Sequence, residues 1–198
     1  MSSKDISTVA MIFETIVIST NAENQPHIAP FGVRFEDELV LISPYRPSTT
    51  LNNLLATKTA TLNLTDDVRV FAGALTGRRN WPMLPTTNIQ GYYLADSLVH
   101  QELSLVKVID DSIRPALTFK VLSTHNHLPF KGFNRSQAAV IELCVLASRL
   151  DRLPIEKIET EMVYLQIALD KTAGEHEIEA WGWLNQHIAD YKKQVILK

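Results

Sequence analysis

Three runs rich in β-branched and apolar residues, Val9 to Thr20, His27 to Phe35 and Leu39 to Ser43, are separated by two short polar stretches, Asn21-Ala-Glu-Asn-Gln-Pro26 and Glu36-Asp-Glu38. Asn, Pro and acidic residues at these places are turn chemistry. Connections this short join antiparallel neighbours, so the chain opens as a three-stranded meander. Pro47 and Ser48 then mark a helix start, with Leu51, Leu54 and Leu55 at helical spacing. Thr59 to Leu64 reads as a further strand, Ala60, Leu62 and Leu64 alternating with Thr59, Thr61 and Asn63. Leu98 to Asp110 and Ala116 to Ser123 also alternate, and Asp110-Asp-Ser-Ile113 between them predicts a hairpin. Thr76 to Gly91, with Arg78, Arg79, Asn80, Trp81 and two prolines, reads as a long irregular connection.

Beyond Pro129 the period becomes helical. Asn134 followed by Gln137 is the pattern of an N-cap with its return partner. Ala138 to Leu150 is apolar almost all round, which predicts a helix buried on more than one side. Pro154 ends it and opens a second helix through Ile155, Ile158, Met162, Leu165 and Leu169 to Thr172. After a turn at Gly174, Glu175 to Lys193 is a third, with Ile178, Trp181, Leu184, Ile188 and Tyr191 on one face. The expectation is an α+β chain, mainly β: an antiparallel β domain over 1–130 carrying a C-terminal α-helical subdomain over 131–198.

Charge and composition exclude several function classes. A net charge of -3 gives no electrostatic reason to bind nucleic acid or an anionic membrane. No stretch reaches the roughly 18 apolar residues of a membrane span, and Met1 to Ser7 lacks an apolar signal core, so a cytoplasmic protein is expected. The single cysteine, Cys144, forbids an internal disulfide and sits mid-helix as a small core residue. His125 and His127 share a face at a spacing that could hold a metal, but no carboxylate or third histidine is anchored near them in sequence. A solvated pair, and no metal site, is the expectation. Arg78 and Arg79 beside Trp81 read either as an attractor of anionic groups or as a solvated loop. Trp181 and Trp183 read as packing residues of the helices or of a dimer contact.

Chemistry concentrates between His27 and Asp67. Arg46, Ser48, Thr49 and Thr50 stand at the start of the short helix, where unpaired N–H groups and the helix dipole favour an anion and a guanidinium adds charge-assisted contacts. The same residues fit a plain capped helix with a solvated arginine equally well. Neither a G-x-G-x-x-G after a strand nor a G-x-x-x-x-G-K-[ST] is present, so Rossmann and P-loop nucleotide sites are excluded.

In Glu14-Thr-Ile-Val17, His27-Ile-Ala-Pro-Phe-Gly-Val33, Arg46-Pro-Ser-Thr-Thr-Leu51, Thr65-Asp-Asp67 and Lys131-Gly-Phe-Asn-Arg135, the chain resembles the FMN-binding split β-barrel superfamily of flavin reductases and pyridoxamine-phosphate oxidases. More narrowly it resembles a domain-of-unknown-function family of archaea and one-carbon-metabolising bacteria, over about Ile12 to Leu153. The resemblance implies an antiparallel split β-barrel and a homodimer holding FMN at the subunit interface, with a small-molecule substrate as a further partner. It implies that Arg46, Pro47, Ser48, Thr49, Thr50 and Asn53 lie on the phosphate side. His27, Ile28, Ala29, Pro30, Phe31, Gly32 and Val33 would run along the flavin ring. Asn63, Asp66 and Asp67 would meet the ribityl chain or ring, and Lys131, Asn134 and Arg135 would form a further anion site at a helix start. It assigns no reaction, leaving a flavin-dependent oxidoreductase and a non-catalytic FMN-binding, electron-transfer or sensing protein as the two readings.

Overall fold

The structure is a computed structural model that describes residues 11–196. Met1 to Ser7, and Val9 and Ala10 of the expected first strand, lie outside the described residues. The strands are β1 Phe13–Thr20, β2 Pro26–Glu36, β3 Leu39–Ile42, β4 Thr59–Leu64, β5 Met83–Pro85, β6 Tyr92–Leu94, β7 Val99–Ile109 and β8 Ala116–Asn126. The helices are α1 Thr49–Thr57, α2 Val68–Leu75, α3 Arg135–Ala147, α4 Ile155–Thr172 and α5 Glu175–Ile196. Six strands close into an antiparallel barrel in the order β1-β2-β3-β8-β7-β4, and β4 returns to β1. β5 and β6 form a separate two-stranded ribbon.

Alternation along the strands sorts the apolar side chains into layers. Val17, Val33, Val40, Ile42, Leu62, Leu103, Leu117 and Phe119 fill the barrel, and α1 adds Leu51 and Leu54 to the same interior. The opposite face of β1 and β2 carries Ile16, Ile18 and Ile28, which pack with Val70 and Phe71 of α2 and Leu94 of β6. A third cluster holds the helices together: Leu143 and Val140 of α3, Ile158 and Leu169 of α4, and Ala180, Trp181, Leu184 and Ile188 of α5, joined by Val68 and Ala72 of α2.

The meander, the hairpin and the three C-terminal helices match the sequence reading, with differences that have local causes. α3 starts after Asn134, as its N-cap pattern predicts, with the Asn134 side chain accepting from the N–H groups of Ser136 and Gln137, but it ends at Ala147, short of the expected Leu150. Gln137 does not reach back to close a capping box. Its amide donates to Glu177 of α5 instead. Ile178 stands at helical spacing with Trp181 yet is 62% exposed. The sequence reading assigns no element to 68–75, where Asp67 caps α2 through the Arg69 N–H. The connection expected to be irregular, Thr76 to Gly91, holds β5, which pairs with β6 just beyond it. It returns so close to α2 that a Cβ on Gly73 would lie 2.8 Å from the Arg78 carbonyl oxygen.

The β7–β8 ladder has two irregularities, between Glu102 and Leu103 and between Leu105 and Lys107. The first leaves Leu122 of β8 without an opposite residue, the second Val106 of β7, and both side chains are exposed. Among the described residues no helix is long and apolar enough to cross a membrane.

Candidate functional site

The start of α1 lies on the surface. Ser48 caps it, its hydroxyl accepting from the Leu51 N–H at 3.2 Å. Thr49 and Thr50 occupy the next two positions, whose N–H groups have no intrahelical acceptor. Arg46 and Pro47 precede the cap on exposed backbone, and the Arg46 guanidinium pairs with Asp110 at 2.8 Å. The Arg46 N–H donates to the Ile113 carbonyl at 2.8 Å, which binds this loop to the tip of the β7–β8 hairpin. The end of that hairpin exposes Val106, Val108, Ile109 and Ile113. Thr50 is buried, and so is Asn53, which donates to the Ser19 hydroxyl at 3.2 Å.

The ring-side motif runs along β2. Val33 is buried and packs with Phe31 inside the barrel, while Ile28 packs outward beneath α2. The Phe31 carbonyl accepts from the Thr15 hydroxyl at 2.9 Å. Ile28, Ala29 and Pro30 line a cavity of about 280 Å³ closed by Phe71, Ile141 and Cys144. Gly32 lies beside Ile12 and Glu14. His27 is held below the ordinary histidine range by burial and then by the nearby Arg79 charge. Glu14 borders this cavity and also a neighbouring one of about 740 Å³, which extends past Asp66, His127, Phe133, Asn134 and Gln137. Burial raises the Glu14 carboxyl, and the Glu142 charge raises it further.

The Thr65–Asp67 and Lys131–Arg135 motifs meet across a third cavity of about 760 Å³, which Asp66, Asp67, Lys131, Gly132 and Asn134 all line. Several of these polar groups are already engaged. Asp67 grips the Arg69 guanidinium at 2.7 Å. Asn134 caps the start of α3, its carboxamide oxygen accepting from the Ser136 and Gln137 N–H groups, and its amide donates to the Thr172 carbonyl at 3.1 Å. Two N–H groups of that helix start are thus taken by its own cap, and Arg135 faces a separate recess beside Glu142 and Tyr164. Asn63 is fully buried: its amide donates to the Ile16 carbonyl and the Thr61 hydroxyl, and its oxygen accepts from the Leu94 N–H at 2.9 Å. It pins β6 to the barrel.

The structure thus groups Ala29, Pro30, Asp66, Asp67, Lys131 and Asn134 along one groove between barrel and helices, and leaves Arg46 to Asn53 off every one of these cavities.

A cluster that the sequence reading dismissed lies on the outer face of β7 and β8. His125 and His127 are not an isolated pair, because His100 and Glu102 stand beside them. His100 is directly opposite His125, and the Glu102 Oε1 lies 3.8 Å from the His100 Nε2 and 3.7 Å from the His125 Nε2. His100 Nδ1 lies 2.7 Å from His127 Nε2, and the His100 ring stacks on Tyr93. Burial pushes His100 down to about 4, helped by the neighbouring His125 and His127. Burial alone would raise Glu102, but backbone N–H donors from Thr87, Asn88 and Ile89 and the Thr87 hydroxyl hold it below the ordinary range. The signal was in the hairpin. The two irregularities offset each other, so the register set by Ile109 opposite Ala116 also puts His100 opposite His125, whereas counting back from a four-residue Asp110–Ile113 turn would put it opposite Ser123.

A closed six-stranded antiparallel barrel with α1 between β3 and β4 and helices at its C-terminal end is the flavin-reductase-like split β-barrel. The chain belongs to the family described as protein of unknown function (DUF447): the N-terminal domain of that family matches residues 13–127, and a second DUF447 segment matches 134–186. An FMN-bound DUF447 protein of Methanosarcina mazei is similar over 90% of this chain and 95% of its own, at 17% identity and a TM-score of 0.76. The 2-nitrobenzoate 2-nitroreductase of Pseudomonas fluorescens covers 61% of this chain and 67% of its own (20% identity, TM-score 0.52). Component B of a nitrilotriacetate monooxygenase from Mycobacterium thermoresistibile covers 61% and 72% (18% identity, TM-score 0.51). At these identities the likeness is one of fold. No curated protein matches the chain.

Proposed function

We propose that this chain is an FMN-binding flavoprotein that works as a homodimer, with the flavin at the subunit interface, and that it is an oxidoreductase acting on a small molecule. The observation that carries this reading is the position of the α1 start. Its uncommitted N–H groups, the Ser48 and Thr49 hydroxyls and the Arg46 guanidinium form an anion-ready half-site on the surface, bound through the Arg46 N–H to the hairpin end that exposes Val106, Val108, Ile109 and Ile113. In this reading a second copy of the chain covers those apolar side chains and completes the half-site. The FMN-bound protein of Methanosarcina mazei, which shares the family and the fold, supports FMN as the ligand.

The donor chemistry fits. A phosphate belongs at Arg46, because in the groove the carboxyl groups of Glu14, Asp66, Asp67, Asp96 and Glu177 outnumber the cations Arg69 and Lys131. The flavin ring would lie against the β2 backbone of His27 to Val33, where strand N–H and carbonyl groups meet its polar edge. Asn63, Asp67 and Asn134 act through the scaffold by holding β6, α2 and α3. Bound FMN supplies the electron or hydride transfer, and the protein orients it and shields it from water. The groove of about 740 Å³, bordered by Glu14, Asp66 and His127, supports an enzyme over a storage protein, because it leaves room for a second small molecule next to titratable groups.

The test is a comparison of two flavins. Arg46→Ala should weaken FMN by about 1.5–3 kcal/mol, the worth of a hydrogen bond to a charged group, and leave riboflavin nearly unchanged. Equal weakening of both contradicts the phosphate role.

A further inference from the structure

We propose that the His100 Nε2, Glu102 Oε1 and His125 Nε2 atoms form a binding site for a divalent transition metal of the zinc type. These three ligand atoms all lie within 4.8 Å of one another, and Glu102 Oε1 is 3.8 and 3.7 Å from the two nitrogens. Tetrahedral bonds of about 2.0–2.2 Å place neighbouring ligand atoms roughly 3.3–3.6 Å apart, so two of the three edges need only a small contraction. Nitrogen and carboxylate oxygen together are the donor set of zinc and its neighbours.

The second observation is His100 itself. The residue is 3% exposed, and its buried Nε2 has no hydrogen-bond partner. At 3.8 Å from the carboxylate, the nitrogen is too far for a hydrogen bond and too near for a water to stand between them. A buried polar atom left in that state costs free energy, and a cation between the nitrogen and the carboxylate removes the cost. The other ring nitrogen is held as in a metal-ligating histidine: Nδ1 lies 2.7 Å from His127 Nε2, and Tyr93 stacks on the ring at 3.9 Å between centroids. Such outer partners fix the tautomer and the ring direction.

Glu102 can serve without unfolding its surroundings. Its carboxylate accepts from the backbone N–H groups of Thr87, Asn88 and Ile89, and also from the Thr87 hydroxyl and the Asn88 amide. The Asn88 amide has a second acceptor in the Ser123 hydroxyl at 3.0 Å, and Thr87 is exposed, so both side chains can release Oε1 while the backbone donors stay. His125 has a 38% exposed side chain, its Nε2 lies 3.2 Å from the Ser123 hydroxyl, and its ring stacks on His100 at 4.7 Å, so binding a metal exchanges that hydroxyl contact for the cation. The ring has to turn from that stack to point its lone pair at the metal. A bound metal would tie β7 to β8 and, through Glu102, to the 87–89 segment. The site needs no flavin.

The test uses the full chain, dialysed against a chelator and titrated with Co²⁺ and then Zn²⁺. One equivalent of Co²⁺ should bind, with the visible d–d absorption of a low-coordinate nitrogen and oxygen site, and Zn²⁺ should displace it. His125→Ala should weaken uptake by at least about 10-fold, since loss of even an outer partner costs 10–100-fold. His125→Gln, which preserves a polar contact to Ser123, should lose it equally while keeping the circular dichroism of the parent. His187→Ala, on α5, should change nothing. Absence of uptake at micromolar metal overturns the proposal, and so does uptake that survives both His125 variants.

Discussion

Arg46 and Asp110 are joined by a 2.8 Å ion pair at the mouth of the α1 helix start, so the guanidinium best placed for a phosphate is already held by a carboxylate. Both side chains are exposed, Asp110 more than Arg46, and such a pair is worth about 0–1 kcal/mol. A phosphate with two charges and several acceptor oxygens competes well against it. Asp110→Asn should therefore tighten FMN by up to about 5-fold, the ratio that about 1 kcal/mol corresponds to, and leave riboflavin unchanged. Weaker FMN binding in this variant would show that Asp110 positions the arginine instead of competing for it. Fluorescence titration with the two flavins reads both outcomes.

Leu143 is fully buried where α3 meets α4 and α5, while Ile178, on the face that spacing assigned to the core, is 62% exposed. Leu143→Ala should cost about 2–5 kcal/mol in denaturant unfolding, as cavity-forming substitutions do. Ile178→Ala should stay within about 0.5 kcal/mol, as surface substitutions do. A large cost at Ile178 would mean that this side of α5 is covered in solution, by a second copy of the chain.

Asn63 separates the resemblance from the geometry. The resemblance puts it against the flavin, and the structure gives its amide and oxygen to Ile16, Thr61 and Leu94. Asn63→Ala strips the buried Leu94 N–H of its acceptor and should destabilise the fold by about 1–3 kcal/mol. FMN affinity of the folded fraction should change little. The reverse pattern, an unchanged fold with weakened FMN, would return Asn63 to the cofactor.

Cys144 tests the packing of α3 against the β2 cavity. Burial pushes its thiol up to about 12, so it stays protonated through pH 8. The thiolate is the reactive form, and native protein should resist iodoacetamide at pH 8 while unfolded protein reacts. Labelling of the native chain at the rate of a free thiol would show that the helix opens.

The barrel was legible because its signals are local: β-branched runs, short turns and one hairpin. α2 was not, since Val68, Val70 and Phe71 favour strands by type and only the Asp67 cap and the packing of Val68 and Ala72 against α5 make them helical. The site divided in the same way. Motif resemblance named the residues, and cavity geometry grouped Ala29, Asp66 and Lys131 along one groove. Whether a polar side chain still has a free valence is set by partners distant in sequence, such as Ile16 and Leu94 for Asn63 and Asp110 for Arg46. The histidine cluster escaped because each member has ordinary neighbours in sequence, and only the strand pairing of His100 with His125 creates it.

The central claim is a dimeric FMN protein, and the most direct measurement is absorption spectroscopy of the purified chain during FMN titration, paired with light scattering. The account predicts a yellow protein that binds stoichiometric FMN at micromolar concentration, with the mass of two chains. A colourless chain that takes up no FMN at that concentration contradicts it.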